Sequence, residues 1–170
     1  MGLVFETERL EVHEAEVGDI PKIMELEEHP DNKNFIWQGS YDEHLEEIKS
    51  DSALLFMFKA KCDSRVIGYG LMRLNEKSEV FELRRIAISE KGMGFGKEVM
   101  LGIMKYCFED LHMNRFWLDV YPDNIIGIKL YTRLGLVYEG TLRQSYKSER
   151  GYLNQMIYSL LKDEYYKKYR

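Results

Sequence analysis

The stretch FELRRIAISEKGMGFGKEVM, residues 81–100, decides how this chain is read. It begins like a strand, passes through Lys91, Gly92, Met93, Gly94, Phe95 and Gly96, and turns at once into a helix-like run. Glycines at alternate positions let a backbone take positive φ or come close to a bulky group. A phosphate at a helix N-terminus is such a group. Two phosphate motifs fail here. The dinucleotide pattern G-x-G-x-x-G needs a glycine at 97, where Lys97 stands, and the P-loop pattern needs Ser or Thr where Glu98 stands. Upstream, Phe81 and Leu83 are out of phase with Ile86 and Ile88 across Arg84 and Arg85. A β-bulge makes that slip, because one extra residue flips the facing of all that follow and splays the strand. A single arginine with a buried stem is the other account. The bulge is the expectation carried forward.

The 170 residues, 45% hydrophobic and 31% charged, suit one soluble globular domain over residues 1–170. A chain this long buries a core without disulfide or metal, and no metal is expected. Cys62 and Cys107 form neither a disulfide framework nor a metal motif. Without a bilayer-spanning run or a basic-then-apolar leader, a cytoplasmic location is expected. Residues 1–51 hold 15 acidic and 4 basic side chains, whereas residues 52–170 hold 14 and 20. Two readings stand: solvated helix faces, or an acidic flank for a cation beside a basic flank for an anion. Neither part is basic enough to suggest nucleic acid.

Along the chain, residues 9–13 alternate like a strand, and Asp19 with Pro21 opens a helix through Leu26. A loop with aromatics, residues 29–40, precedes a short acidic helix over 42–49. Residues 53–61 and 65–74 read as a hairpin, and the glycine stretch leads into a helix to about Asp110. Residues 115–121 form a strand, 124–134 a helix ended by Gly135, and 136–144 and 152–161 two last strands. The order predicts an α/β fold: a mixed, mostly antiparallel sheet of six to seven strands, splayed at a central bulge and flanked by four helices.

At this point the residues resemble a known family. KGMGFG fits the [Q/R]-x-x-G-x-[G/A] acetyl-CoA loop of the GNAT acetyltransferase superfamily, with Lys91 where Gln or Arg is usual. DNIIGIKLYTRLGLVYEGTLR, residues 123–143, is similar to that family's second segment, N-x-x-[A/G]-x-x-[L/I]-Y-x-[K/R]-[L/F]-G-[F/L]. The segment EG-x-L-R and the loop FIWQGSYDEHLEE most resemble the branch of ribosomal-protein alanine N-acetyltransferases and spermidine acetyltransferases.

The resemblance implies acetyl transfer from acetyl-CoA, the co-substrate, to an amine by direct attack. A covalent nucleophile is not needed; Cys107, in an apolar helix stripe, reads as an inert buried thiol. Backbone N–H groups from Lys91, Gly92, Met93, Gly94, Phe95, Gly96 and Lys97 would face the pyrophosphate. Ile86, Ala87 and Ile88 would offer strand-edge groups to the pantetheine arm, and an N–H near Ile86 or Ala87 would meet the oxyanion. Asn124 reads either as a pantetheine contact or as a plain N-cap. Tyr131 resembles the family's general acid, and Glu82 is the candidate base. Acceptor candidates are a protein N-terminal amine first and a polyamine second, received by acids with Phe35, Trp37, Tyr41 and the loop around residues 146–152. Family habit suggests a homodimer. The rivals are a non-catalytic acyl-CoA-binding or sensing domain and a nucleotide-binding α/β domain.

Overall fold

Strand β5, Val80–Ile88, lies in the middle of the sheet and carries the slip at Arg84. The computed structural model describes residues 2–170. Its strands are β1 Leu3–Glu6, β2 Leu10–Glu14, β3 Ala53–Ala60, β4 Val66–Asn75, β5, β6 Arg115–Val120, β7 Val137–Ser148 and β8 Gly151–Leu161. They form one sheet in the order β1-β2-β3-β4-β5-β6-β8-β7. Neighbours are antiparallel except β5 and β6, which run parallel. Helices α1 (Ile20–Glu28) and α2 (Tyr41–Lys49) cover one face. Helices α3 (Phe95–Lys105), α4 (Ile125–Arg133) and α5 (Lys162–Tyr169) cover the other. Among the described residues no helix is long and apolar enough to cross a membrane.

The bulge is present. Leu71 faces Arg85 and Met72 faces Leu83, so Arg84 has no opposite number on β4. The extra residue puts Phe81, Leu83, Ile86 and Ile88 in one core under α3, despite the change of phase. It sends Arg85 and Ala87 to the α1–α2 side, where Ala87 joins Ile23, Leu26 and Tyr69. Parallel pairing with β6 runs from Val80 opposite Arg115 to Leu83 opposite Leu118 and stops there. Phe81 and Phe116, both fully buried with ring centroids 5.5 Å apart, pin the two strands just before they part. Truncating either ring would cost about 3–5 kcal/mol.

Two elements exceed the expected count. β1 has only four residues, too few for alternation to show. α5, KDEYYKKY, lacks an apolar stripe; buried Tyr165 and a hydrogen bond from the Tyr169 hydroxyl to the Leu134 carbonyl at 2.7 Å dock it. The helix expected to reach Asp110 ends at Lys105 and passes into a π-type turn that still buries Cys107 and Phe108. Asp19 stands at the N-cap of α1, but its carboxylate accepts from the Glu16 N–H instead of from the helix.

Candidate active site

Where β5 and β6 part, a cavity of about 1630 Å³ opens between them. Its walls include Arg84, Arg85, Ile86 and Ile88 from β5 and Asp119, Val120 and Tyr121 at the end of β6. The Ser89 N–H donates to the Ile67 carbonyl at 2.8 Å, and Ile88 pairs with Gly68. Antiparallel alternation then gives Ala87 to β4 and turns the backbone groups of Ile86 and Ile88 toward the open side. β6 cannot satisfy them, because it has already diverged.

One end of the cavity is the glycine turn. Gly92 and Gly94 are left-handed, at φ 76° and 78°, with Met93 between them outside that region. Alternation of this kind turns successive N–H groups toward one concave side. Among the described residues, no acceptor meets the N–H groups of Phe95, Gly96 and Lys97, the first turn of α3, or that of its N-cap Gly94. Exposed donors at a helix N-terminus, with no Cβ on alternate residues, suit a pyrophosphate. Lys91 is otherwise engaged: its ammonium donates to Asn32 Oδ1 at 2.8 Å, and burial holds its pKa below the ordinary lysine range. Asn32 is itself buried and donates to the Leu26 carbonyl at 2.9 Å. Lys91 thus ties the turn to the loop that follows α1.

α4 forms the opposite wall. Asn124 caps it, its Oδ1 accepting from the Gly127 N–H at 3.0 Å. Tyr131 lies one turn beyond Gly127 on the inward face, and both are buried. The Tyr131 hydroxyl makes no hydrogen bond among the described residues, and burial first, then the charge of Asp119, pushes its pKa up to about 12. Asp119 stands one step past the parting of the strands, hydrogen-bonded by the Gln155 amide, and burial raises its pKa.

The cavity wall contains Ile86, Ile88, Lys91, Gly92, Gly94, Phe95, Gly96, Lys97, Asn124 and Tyr131 from the residues expected on sequence. Ala87 belongs to the α1–α2 core, and the Met93 side chain is exposed outside the wall. Glu82 is also outside the wall, 3.3 Å from Arg84 Nη1 on the paired part of β5. Asp119 was not anticipated; its signal was an acid alternating with Phe116, Leu118 and Val120 in RFWLDVY.

Beyond Asp119 the wall turns acidic and aromatic. Glu43 and Glu46 of α2 face the cavity with Phe35 and Trp37, and Tyr121 stacks on Tyr146 at 5.9 Å. Arg150, from the turn between β7 and β8, donates to Asp123 Oδ2 at 2.7 Å and to the Asn34 carbonyl at 2.6 Å. It closes the hairpin onto the loop before α2.

A largely buried charge cluster reaches this wall through Glu47 and Arg85. His44 Nδ1 lies 2.7 Å from Glu47 Oε1 and Nε2 lies 3.0 Å from Glu27 Oε1. Two carboxylate acceptors require both ring nitrogens to carry protons. Burial alone would lower the His44 pKa, but the bonds and charges of Glu27 and Glu47 outweigh it and raise it to about 9. Arg85 pairs with Glu47, lies 3.6 Å from Glu27 Oε2 and stacks over Trp37 at 4.2 Å. Because the folded-state pKa of His44 exceeds the unfolded value of about 6.5, its stabilisation is full below that pH and lost as pH rises through about 9. Urea melts should lose on the order of 3 kcal/mol across that window, and His44→Gln should flatten the dependence. Equal slopes in the two proteins would remove His44 as the titrating group.

A splayed parallel pair beside a turn of free backbone donors defines a class of site: an open strand edge next to a helix start that suits an anion. The family model of the Acetyltransferase (GNAT) family matches residues 20–136, and the chain belongs to that family. It is 36% identical over 74 residues to the uncharacterized N-acetyltransferase p20 of Bacillus licheniformis, covering 44% of this chain and 42% of that protein. It is 27% identical over 121 residues to the prophage-derived uncharacterized N-acetyltransferase YokL of Bacillus subtilis, covering 69% and 61%. The chain thus aligns with less than two thirds of the length of either relative. Mutant forms of the spermidine/spermine N-acetyltransferase SpeG from Vibrio cholerae superpose with a TM-score of 0.81 at 20% identity, covering 95% of this chain and 99% of that one. That likeness carries the fold.

Proposed function

We propose that this chain transfers acetyl from acetyl-CoA to a primary amine of a small acceptor with more than one positive charge. The observation that carries the reading is the cavity at the β5–β6 splay, with free amide donors at one end and carboxylates at the other. Acetyl-CoA supplies an activated thioester. The N–H groups of residues 94–97 hold its pyrophosphate, and Ile86 and Ile88 pair with its pantetheine amides. The unbonded Asn124 side-chain N–H₂ reaches the same arm. An acceptor ammonium of pKa near 10 must lose a proton before attack. Asp119 takes that proton, in the place first given to Glu82; burial raises the pKa of both carboxyls, and Asp119 is the one on the cavity wall. Tyr131 donates to the departing sulfur.

For the acceptor, Glu46 faces the cavity and has no ion-pair partner among the described residues, while Glu43 is committed to capping α2. A second ammonium of an oligoamine would pair with Glu46. The Arg150 closure also favours a small amine, since a polypeptide would have to displace it. A protein N-terminal amine remains the competing acceptor. Acetyl-CoA consumption with spermidine and with an alanine-initiated peptide separates them. Spermidine is expected to be preferred, with Glu46→Gln raising its KM about three- to tenfold and leaving a monoamine unaffected. Preference for the peptide would overturn the oligoamine assignment and leave acetyl transfer intact.

A further inference from the structure

Arg9 lies in the turn between β1 and β2, outside the segment that the family model matches. Its side chain nevertheless spans the glycine turn. Nη1 donates to the Met93 carbonyl at 2.9 Å, 84 positions away in the chain. Nε and the Arg9 backbone N–H each donate to Glu98 at 2.7 Å, and the guanidinium lies 4.3 Å over the Phe95 ring. Thr7 Oγ1 adds a third bond to Glu98 at 2.5 Å. We propose that Arg9 is a positioning residue of the coenzyme site, turning one carbonyl and one carboxylate away from the amides that must face an anion. The inference rests on the coenzyme reading above.

The reason lies in Glu98. It stands in the first turn of α3, beside the free N–H groups of residues 94–97. An acid there is drawn to cap the helix itself, and its charge opposes a pyrophosphate. Arg9 and Thr7 take both Glu98 oxygens into bonds with the β1–β2 turn. The Met93 carbonyl is the second competitor. Held by Nη1, it leaves the flanking left-handed Gly92 and Gly94 free to aim donors inward. A lysine could pair with Glu98 but lacks the fork that reaches Met93 at the same time.

The test measures coenzyme A affinity by titration calorimetry and the melting temperature of the free protein. Arg9→Met, Arg9→Lys, Glu98→Gln and the double variant Arg9→Met/Glu98→Gln are compared with wild type. Arg9→Met should weaken coenzyme A roughly tenfold, Arg9→Lys less, with kcat at saturating acetyl-CoA unchanged. Glu98→Gln should recover most of the loss in the double variant, a rescue that a merely structural role would not produce. Coenzyme A bound by Arg9→Met within about twofold of wild type overturns the inference. So does a loss that Glu98→Gln leaves undiminished. Wild-type protein that binds no coenzyme A overturns the coenzyme reading itself, and this inference with it.

Discussion

Tyr131→Phe is expected to lower turnover roughly 10²- to 10³-fold while coenzyme A still binds within about twofold of wild type. Phenylalanine keeps the ring in its packed place on α4 and removes only the hydroxyl, which no described residue engages. With a pKa near 12, that hydroxyl is a poor acid toward a thiolate of about 8.5. Complete transfer even to the released thiolate would be uphill by roughly 5 kcal/mol, and transfer ahead of bond cleavage more so. Hydrogen bonding to sulfur as its charge develops is therefore the useful contribution, with the proton moving late. In the proposed reaction a C–N bond forms and the C–S bond breaks. The ammonium gives one proton to Asp119 before attack, and Asp119 passes it to solvent. The nitrogen gives its second to Asp119 as the amide forms, and sulfur gains one from Tyr131, which solvent restores. Steady-state kcat and calorimetry on one preparation check this. An unchanged kcat takes Tyr131 out of the chemistry. Lost coenzyme binding makes it a ligand contact instead.

Arg85→Met should be among the most damaging single changes to stability, about 3–5 kcal/mol. With His44 protonated, Glu27, Glu47, His44 and Arg85 balance in charge, and all four are buried. Removing the guanidinium leaves two carboxylates against one imidazolium in a largely buried site at the cavity wall. A chain of this length loses about 2–4 °C per kcal/mol, so thermal unfolding should fall by roughly 6–20 °C. Arg85→Met/Glu47→Leu restores neutrality and should recover most of that loss, since apolar replacement of a buried pair is often near neutral. Both variants lose the surface on which Trp37 stacks, so acceptor KM should rise even where stability returns. Additive losses in the double variant would show that the cluster is not a charge-balanced unit.

These two sites differ in how visible they are in the sequence. Tyr131 and Asn124 lie in one short helix, where residue spacing alone places them on a common side. The Arg84 bulge was visible because strand periodicity is strict, and the slip from Phe81 and Leu83 to Ile86 and Ile88 has few other causes. The charge cluster was not visible. The buried residues of α2 are His44 and Glu47, so its inward side looks like a solvated one. Their partners lie 17 and 38 positions away in the chain. Arg9 was equally silent, because its meaning depends on a turn 84 positions distant.

Local order followed from the residues themselves: where the strands and most helices fall, where the central strand slips, and where glycines open a turn before α3. Such features depend on period and backbone freedom, which act over a few residues. Which carboxylate enters the cleft, which cation guards the turn, and which charges balance in the interior were decided by the folded sheet. Asp119 lines the cavity and Glu82 does not, though both stand near the end of the β5–β6 pairing. Charges meet through space, and only the complete fold sets those distances.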